Sequence, residues 1–301
     1  MPATSVTAMP SIASAKGMLL GVVAYTLFAV HDALVKSVIS DLPVFQILFV
    51  RSLVVVVLCL LIGRRNMVGK LIRSGNKQMI LLRGLLTLAA WCMYYSTGRQ
   101  LQLAQMTTLY YFAPVLTTVL AVAFLKERLT LARIGAAAIG FFGVAVACNP
   151  AEFTIGWPAM LVLGAAFCWA VAMILMRTIS KSESSLVQIF ALNLFYLVAM
   201  GIAAAFSWQA MDLREIAVVL AAGCIAGAAQ YVLVEAARQV PASVLGTVEY
   251  SALIWSFVFG YLFWREEPAM VVFVGAGLVI AAGIGLAWSE RRIRAKVIDT
   301  P

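Results

Sequence analysis

Gly98-Arg99-Gln100-Leu101 and Ala237-Arg238-Gln239-Val240 stand 139 residues apart, and the same spacing carries Tyr111 onto Tyr250, Ala113 onto Ala252 and Glu127 onto Glu266. One apolar, helix-length passage is written twice. Self-similarity at a fixed spacing marks an internal repeat, and it bears on the fold before any single residue does. Of the 301 residues, 63% are hydrophobic and only 12% charged. Soluble domains are nearer half apolar and a quarter charged, so this composition points to a membrane protein.

The whole chain divides into apolar runs of about 20 residues, the length that crosses a hydrocarbon layer about 30 Å thick. The expected spans are 17–38, 43–62, 78–98, 103–125, 131–148, 157–177, 186–206, 216–236, 242–264 and 270–289. No strand-like alternation is sustained, which excludes a β-barrel. The expected fold is therefore all-α and integral to the membrane, with ten transmembrane helices. Its domains would be a flexible tail over 1–15, a five-helix repeat over 16–148, a second over 149–289 and a basic tail over 290–301. The first residues lack a basic n-region and the first apolar run is a full span, so no cleavable signal peptide is expected.

With the N-terminus in the cytoplasm, sixteen basic residues fall on the inner side. Only Lys36, Arg99, Arg214 and Arg265 fall on the outer side, and Arg51 and Arg83 lie within spans. Such a positive-inside bias places both termini in the cytoplasm. The net charge of +9 then reads as topology and contact with anionic lipid, with no nucleic-acid partner. Five spans per copy is an odd number, so the two copies enter the membrane from opposite sides. Inverted repeats of this kind characterise secondary transporters, which hold substrate near the midplane between the halves.

Several activities are excluded. The longest polar stretch, Gly63 to Gln78, is too short for a nucleotide-binding domain, and no Walker sequence is present. There is no H-E-x-x-H, no G-x-S-x-G and a single histidine, so neither an enzyme nor a bound cofactor is expected. Cys59, Cys92, Cys148, Cys168 and Cys224 read as small packing residues rather than metal ligands or disulfide partners.

Charged groups inside spans cost roughly 2.5–3.5 kcal/mol or more each near the bilayer centre, so each needs a reason. Asp32 and Lys36 sit four apart and can pair along one helix face; alternatively Asp32 or His31 belongs to a substrate or proton path. Arg51 needs a partner, for which Asp32 is the candidate, while Arg83 is near enough to the inner face to snorkel. Arg83, Thr87, Trp91 and Tyr95 recur every four residues as a stripe that lines a cavity or packs against a neighbouring helix. Glu249 could contact an ammonium group, act in coupling or pair with Arg83. Gln230, above Gly223 and Gly227, is a candidate hydrogen-bonding group at a close helix contact, and the glycines of spans five and ten read as packing devices.

Trp157, Trp208, Trp264 and Trp288 fall at span ends, where aromatic belts are expected. Trp91, Trp169 and Trp255 lie deep within spans. With Tyr95, Tyr110, Tyr111, Tyr231 and Tyr250 they are candidates for an aromatic cavity lining, suited to an amphipathic or cationic ligand. The candidate substrate-binding set is His31, Trp91, Tyr95, Tyr111, Trp169, Gln230, Glu249, Tyr250 and Trp255.

The run Pro114-Val115-Leu116 through Leu125-Lys126-Glu127-Arg128-Leu129-Thr130, followed by Gly135 and Gly143, resembles the EamA-type domain of the drug/metabolite transporter superfamily. A second copy runs from Leu253 through Arg265-Glu266-Glu267-Pro268 to Gly275 and Gly283. Leu125-Lys126 and Trp264-Arg265 stand where the family usually carries glycine. The resemblance implies a central cavity lined mainly by spans 1, 3, 4, 6, 8 and 9, with the last span of each half peripheral. It also implies export of amino acids, metabolites or drugs. Phe28 through Lys36, Phe49-Val50-Arg51 and Leu82-Arg83-Gly84-Leu85 are similar to members described as S-adenosylmethionine uptake carriers. The expectation is an inner-membrane, alternating-access exporter of small metabolites, most specifically aromatic or amphipathic amino acids. It would act as a monomer in contact with lipid. Uptake of a nucleoside-like metabolite, multidrug export and a channel are the alternatives.

Overall fold

A computed structural model describes residues 14–63, 67–101, 106, 109–126, 130–147, 156–265 and scattered positions from 270 to 292. Regular structure among the described residues is α-helical: α1 (Ala15–Lys36), α2 (Val44–Gly63), α3 (Met67–Arg73), α4 (Lys77–Ser96), α5 (Ala113–Leu125), α6 (Leu131–Ala147), α7 (Trp157–Ile179), α8 (Ser185–Ala205), α9 (Leu213–Gln239), α10 (Ala242–Glu249) and α11 (Ser251–Trp264). Seven spans among these residues are long and apolar enough to cross a membrane: α1, α2, α4, α7, α8, α9 and α10 with α11 taken together. Shorter apolar helices cover 113–125 and 131–143. The tenth expected span is described only at scattered positions. Glu127, Glu266, Cys148, Gly283 and most of both expected tails lie outside the described residues. The polar stretch after α2 holds α3, whose Met67 is buried.

The surface confirms which solvent the fold is built for. Leu61 is 73% exposed, Phe124 72% and Ile202 63%, while His31, Gln46, Arg51 and Asn193 are fully buried. Exposing each of those large apolar groups to water would cost about 1.5–3 kcal/mol, so the outer face belongs against hydrocarbon.

Most helix packing runs between the N-terminal and C-terminal halves: α1 lies on α9, α4 on α7, and α2 on α8. Close approach is made possible by glycine. A Cβ on Gly17 would fall 2.7 Å from Gln239 Cβ, one on Gly223 2.7 Å from Val54 Cβ, and one on Gly140 2.4 Å from the Tyr250 ring. By contrast a Cβ on Gly135, Gly277 or Gly285 would meet nothing within 4 Å among the described residues, so none of the three makes the close contact the sequence suggested.

Polar contacts tie the halves together at both ends, besides those within the helix bundle. At one end Ser14 Oγ donates to Gln239, Ser74 Oγ donates to Glu183, and Asn76 Nδ2 donates to Ser182 and Glu183. This end also carries the basic residues Lys16, Lys77, Lys181 and Arg238. At the opposite end Gln46 exchanges two hydrogen bonds with the Gln209 backbone, at 2.8 and 2.9 Å.

Candidate functional site: an aromatic cavity between the halves

Four helical faces converge on one cavity. On α1 the residues Tyr25, Phe28, Ala29 and Asp32 follow the i, i+3, i+4, i+7 spacing of a single face, and on α4 the pairs Ala90–Tyr94 and Trp91–Tyr95, each four apart, share one face. Trp169 comes from α7, Tyr110 and Tyr111 precede α5, and Glu249, Ala252 and Ser256 come from α10 and α11. The space within, open mouth included, is about 700 Å³.

Six of these rings close on themselves. Going round, Trp91 meets Tyr95 at 5.3 Å between centroids, Tyr95 meets Tyr94 at 5.4 Å, and Tyr94 meets Tyr110 at 5.4 Å. Tyr110 meets Trp169 at 6.2 Å, Trp169 meets Phe28 at 6.2 Å, and Phe28 returns to Trp91 at 6.1 Å. All are tilted or edge-to-face contacts, the arrangement that aromatic quadrupoles favour.

Two carboxyl groups sit in this aromatic wall. Asp32 Oδ1 accepts a 2.7 Å hydrogen bond from Tyr95 Oη and lies 3.1 Å from His31 Nδ1. Glu249 is buried and accepts a long bond, 3.4 Å, from Tyr25 Oη. Among the described residues no basic group pairs with Glu249, so of its three candidate roles the pairing with Arg83 does not occur. Carboxyls surrounded by π faces suit a cationic group of a ligand.

The cavity is bordered by two matching irregularities. Helix α5 is preceded by a turn at Tyr111–Phe112, where the Phe112 N–H donates to Leu109 O; α10 and α11 are separated at Tyr250, whose N–H donates to Thr247 O. Both bonds span three residues rather than four, and such tightened turns inside a span are typical of hinges. Pro114 explains the first, since it has no N–H to offer Tyr110 O. The second has Leu253 at the repeat-related position, whose N–H bonds to Tyr250 O, so proline does not force it. The two turns face each other, with Tyr111 and Tyr250 rings 5.6 Å apart.

A family model matches residues 15–148 and again 156–288. The chain belongs to the EamA-like transporter family. Among its relatives, the pseudopaline exporter CntI of Pseudomonas aeruginosa is 27% identical, covering 91% of this chain and 97% of that one. An S-adenosylmethionine uptake transporter of Rickettsia bellii is 23% identical over 89% and 92%. A solved crystal structure, 18% identical, shares the fold with a TM-score of 0.75 over 92% of this chain and 98% of that one. The protein is thus a multi-pass membrane transporter of this two-repeat family.

Within that EamA frame, Trp91, Tyr95, Tyr111, Trp169 and Glu249 of the expected binding set line the cavity, as do Asp32 and Tyr110. His31 does not; it is fully buried with its ring 5.3 Å from that of Trp91. Gln230 is also outside the lining, accepting a 2.7 Å bond from Asn193 Nδ2. Tyr250 packs on Gly140, and Trp255 donates from Nε1 to Thr26 Oγ1 at 3.0 Å while stacking on Phe259. Tyr231 is 43% exposed and no part of the cavity.

The Arg83 stripe divides. Trp91 and Tyr95 reach the cavity, whereas Arg83 donates to Gln188 Oε1 at 3.0 Å and Thr87 bonds to Tyr196, both on α8. Arg83 therefore does not snorkel; a buried amide across the helix pair holds it instead. Lys36 lies over the Trp264 ring, and the Asp32 oxygen nearest to hand is taken by Tyr95 and His31. Arg51 makes no ion pair with Asp32; its guanidinium carbon lies 4.0 Å from the Trp91 ring centroid. The cysteines among the described residues are free thiols. The aromatic lining residues not anticipated, Tyr25, Phe28 and Tyr94, had a signal: they share a helix face with Asp32 or neighbour Tyr95.

Proposed function

We propose that the protein is a secondary carrier that exports amphipathic or aromatic amino acids across the bacterial inner membrane by alternating access. The closed collar of six rings, with Asp32 and Glu249 beside it, carries this reading. Its apolar faces suit an aromatic or aliphatic body, and its carboxyls suit an ammonium group. The role of the halves is to rock about this site as inverted five-helix repeats with both termini cytoplasmic. Supporting that arrangement, an exchange of the halves maps the α1–α9 packing onto α7–α4. The clustering of basic residues at one end supports the orientation.

Uptake of a cationic metabolite is a second reading, favoured by the same pairing of aromatic faces with carboxyls and by a relative named as an S-adenosylmethionine uptake transporter. Proteoliposomes preloaded with unlabelled L-phenylalanine, L-tryptophan or S-adenosylmethionine and supplied with the labelled compound outside separate the two. Saturable counterflow with the amino acids is the expected result. Counterflow with S-adenosylmethionine alone supports the second reading, and non-saturating flux without counterflow would indicate a channel.

A further inference from the structure

Arg51 is fully buried on α2, and its Nε, Nη1 and Nη2 have no hydrogen-bond partner among the described residues. A guanidinium carries five donors and does not give up its charge, so burying one uncompensated is strongly unfavourable. The same molecule shows how a structural arginine is treated: Arg83, also buried, spends a donor on Gln188. Arg51 instead rests on an aromatic face, that of Trp91, at 4.0 Å. A π face attracts the cation without consuming its N–H groups, leaving them for a planar, bidentate anion. Asp32 is within electrostatic range, yet its Oδ1 bonds to Tyr95 and His31 and it makes no ion pair with Arg51 among the described residues.

Trp91 is a cavity wall residue, so Arg51 stands one side chain away from the bound cargo. The geometry points to Arg51 as the receptor for a carboxylate of the cargo, masked by Trp91 when the site is empty and reached when that ring turns aside. With Asp32 and Glu249 in the wall for an ammonium group, the site would then read both poles of a zwitterion, which ordinary aromatic packing does not do. This assignment rests on the carrier reading above and extends it to the charged groups of the cargo.

Matched ligand pairs that differ in the carboxylate test it, using thermal unfolding of the purified full chain in detergent. The pairs are L-phenylalanine with phenethylamine, and hydrocinnamate with 3-phenylpropan-1-ol. The acid of each pair is expected to raise the melting temperature saturably and to bind about 30-fold or more tighter than its partner, the lower end of what losing one member of a buried charge pair costs. Arg51→Gln abolishes that preference, and Arg51→Lys, which keeps charge but loses the fork, restores it only in part. Ligand-free Arg51→Met melts above the wild type, because a buried guanidinium without hydrogen-bond partners is gone; a lower melting temperature would mean that Arg51 is a structural strut and would overturn the assignment. So would equal binding of acids and their partners, or a preference that survives in Arg51→Gln. Preference for hydrocinnamate over its alcohol with no response to phenylalanine upholds Arg51 and instead defeats the amino-acid reading.

Discussion

Lys126 and Arg265, 139 residues apart, both hold left-handed backbone, with φ of 52° and 53°. They close α5 and α11 at the positions where the family usually has glycine, and the geometry shows why glycine is favoured there. A side chain in this conformation costs roughly 1–2 kcal/mol, most of which glycine avoids. Lys126→Gly and Arg265→Gly are each expected to stabilise the folded protein by about 0.5–1 kcal/mol, read as a higher SDS-unfolding midpoint, while valine at either site lowers it. In the cavity, Trp91→Ala and Trp169→Ala each break the aromatic collar and should reduce counterflow by about tenfold or more, as losing one buried aromatic contact of 1.5 kcal/mol implies. Trp255→Phe is the control: it loses the bond to Thr26, about 1 kcal/mol, and should leave counterflow intact.

At the scale of elements, Pro114 and the turn ahead of α5 make a span that is not one rigid rod. Pro114→Ala restores an N–H to Tyr110 O and should stiffen the turn, slowing counterflow several-fold while raising thermal stability. Unchanged turnover would remove the turn from the transport cycle. Glycines sort the helix contacts. Gly223→Leu would drive a side chain into Val54 and should destabilise by about 1–3 kcal/mol, whereas Gly135→Ala meets open space and should be tolerated. The sequence marked both positions as glycine in an apolar span, and only the neighbouring helix tells them apart.

For the whole molecule, Glu183 joins the halves at the basic end, accepting from both Ser74 and Asn76. Hydrogen bonds to a charged group contribute about 1.5–3 kcal/mol each, enough to hold one access state over another. Glu183→Ala is expected to open this end, lengthening the spin-label distance between Lys77→Cys and Lys181→Cys. An unchanged distance distribution would show that other contacts hold the halves together.

The membrane class, the two-repeat family and the helical spans were written in the sequence, because hydrocarbon thickness and backbone hydrogen bonding leave few options to an apolar chain of this composition. The cavity aromatics were partly legible, as Trp91, Tyr95, Tyr111 and Trp169 lie deep in spans with polar neighbours. Partnership was not. Arg83 binds Gln188, Gln230 binds Asn193, and Arg51 rests on Trp91 rather than on Asp32. Periodicity says which residues share a helix face, but which helix that face meets, and at what height, is decided only when the halves pack together.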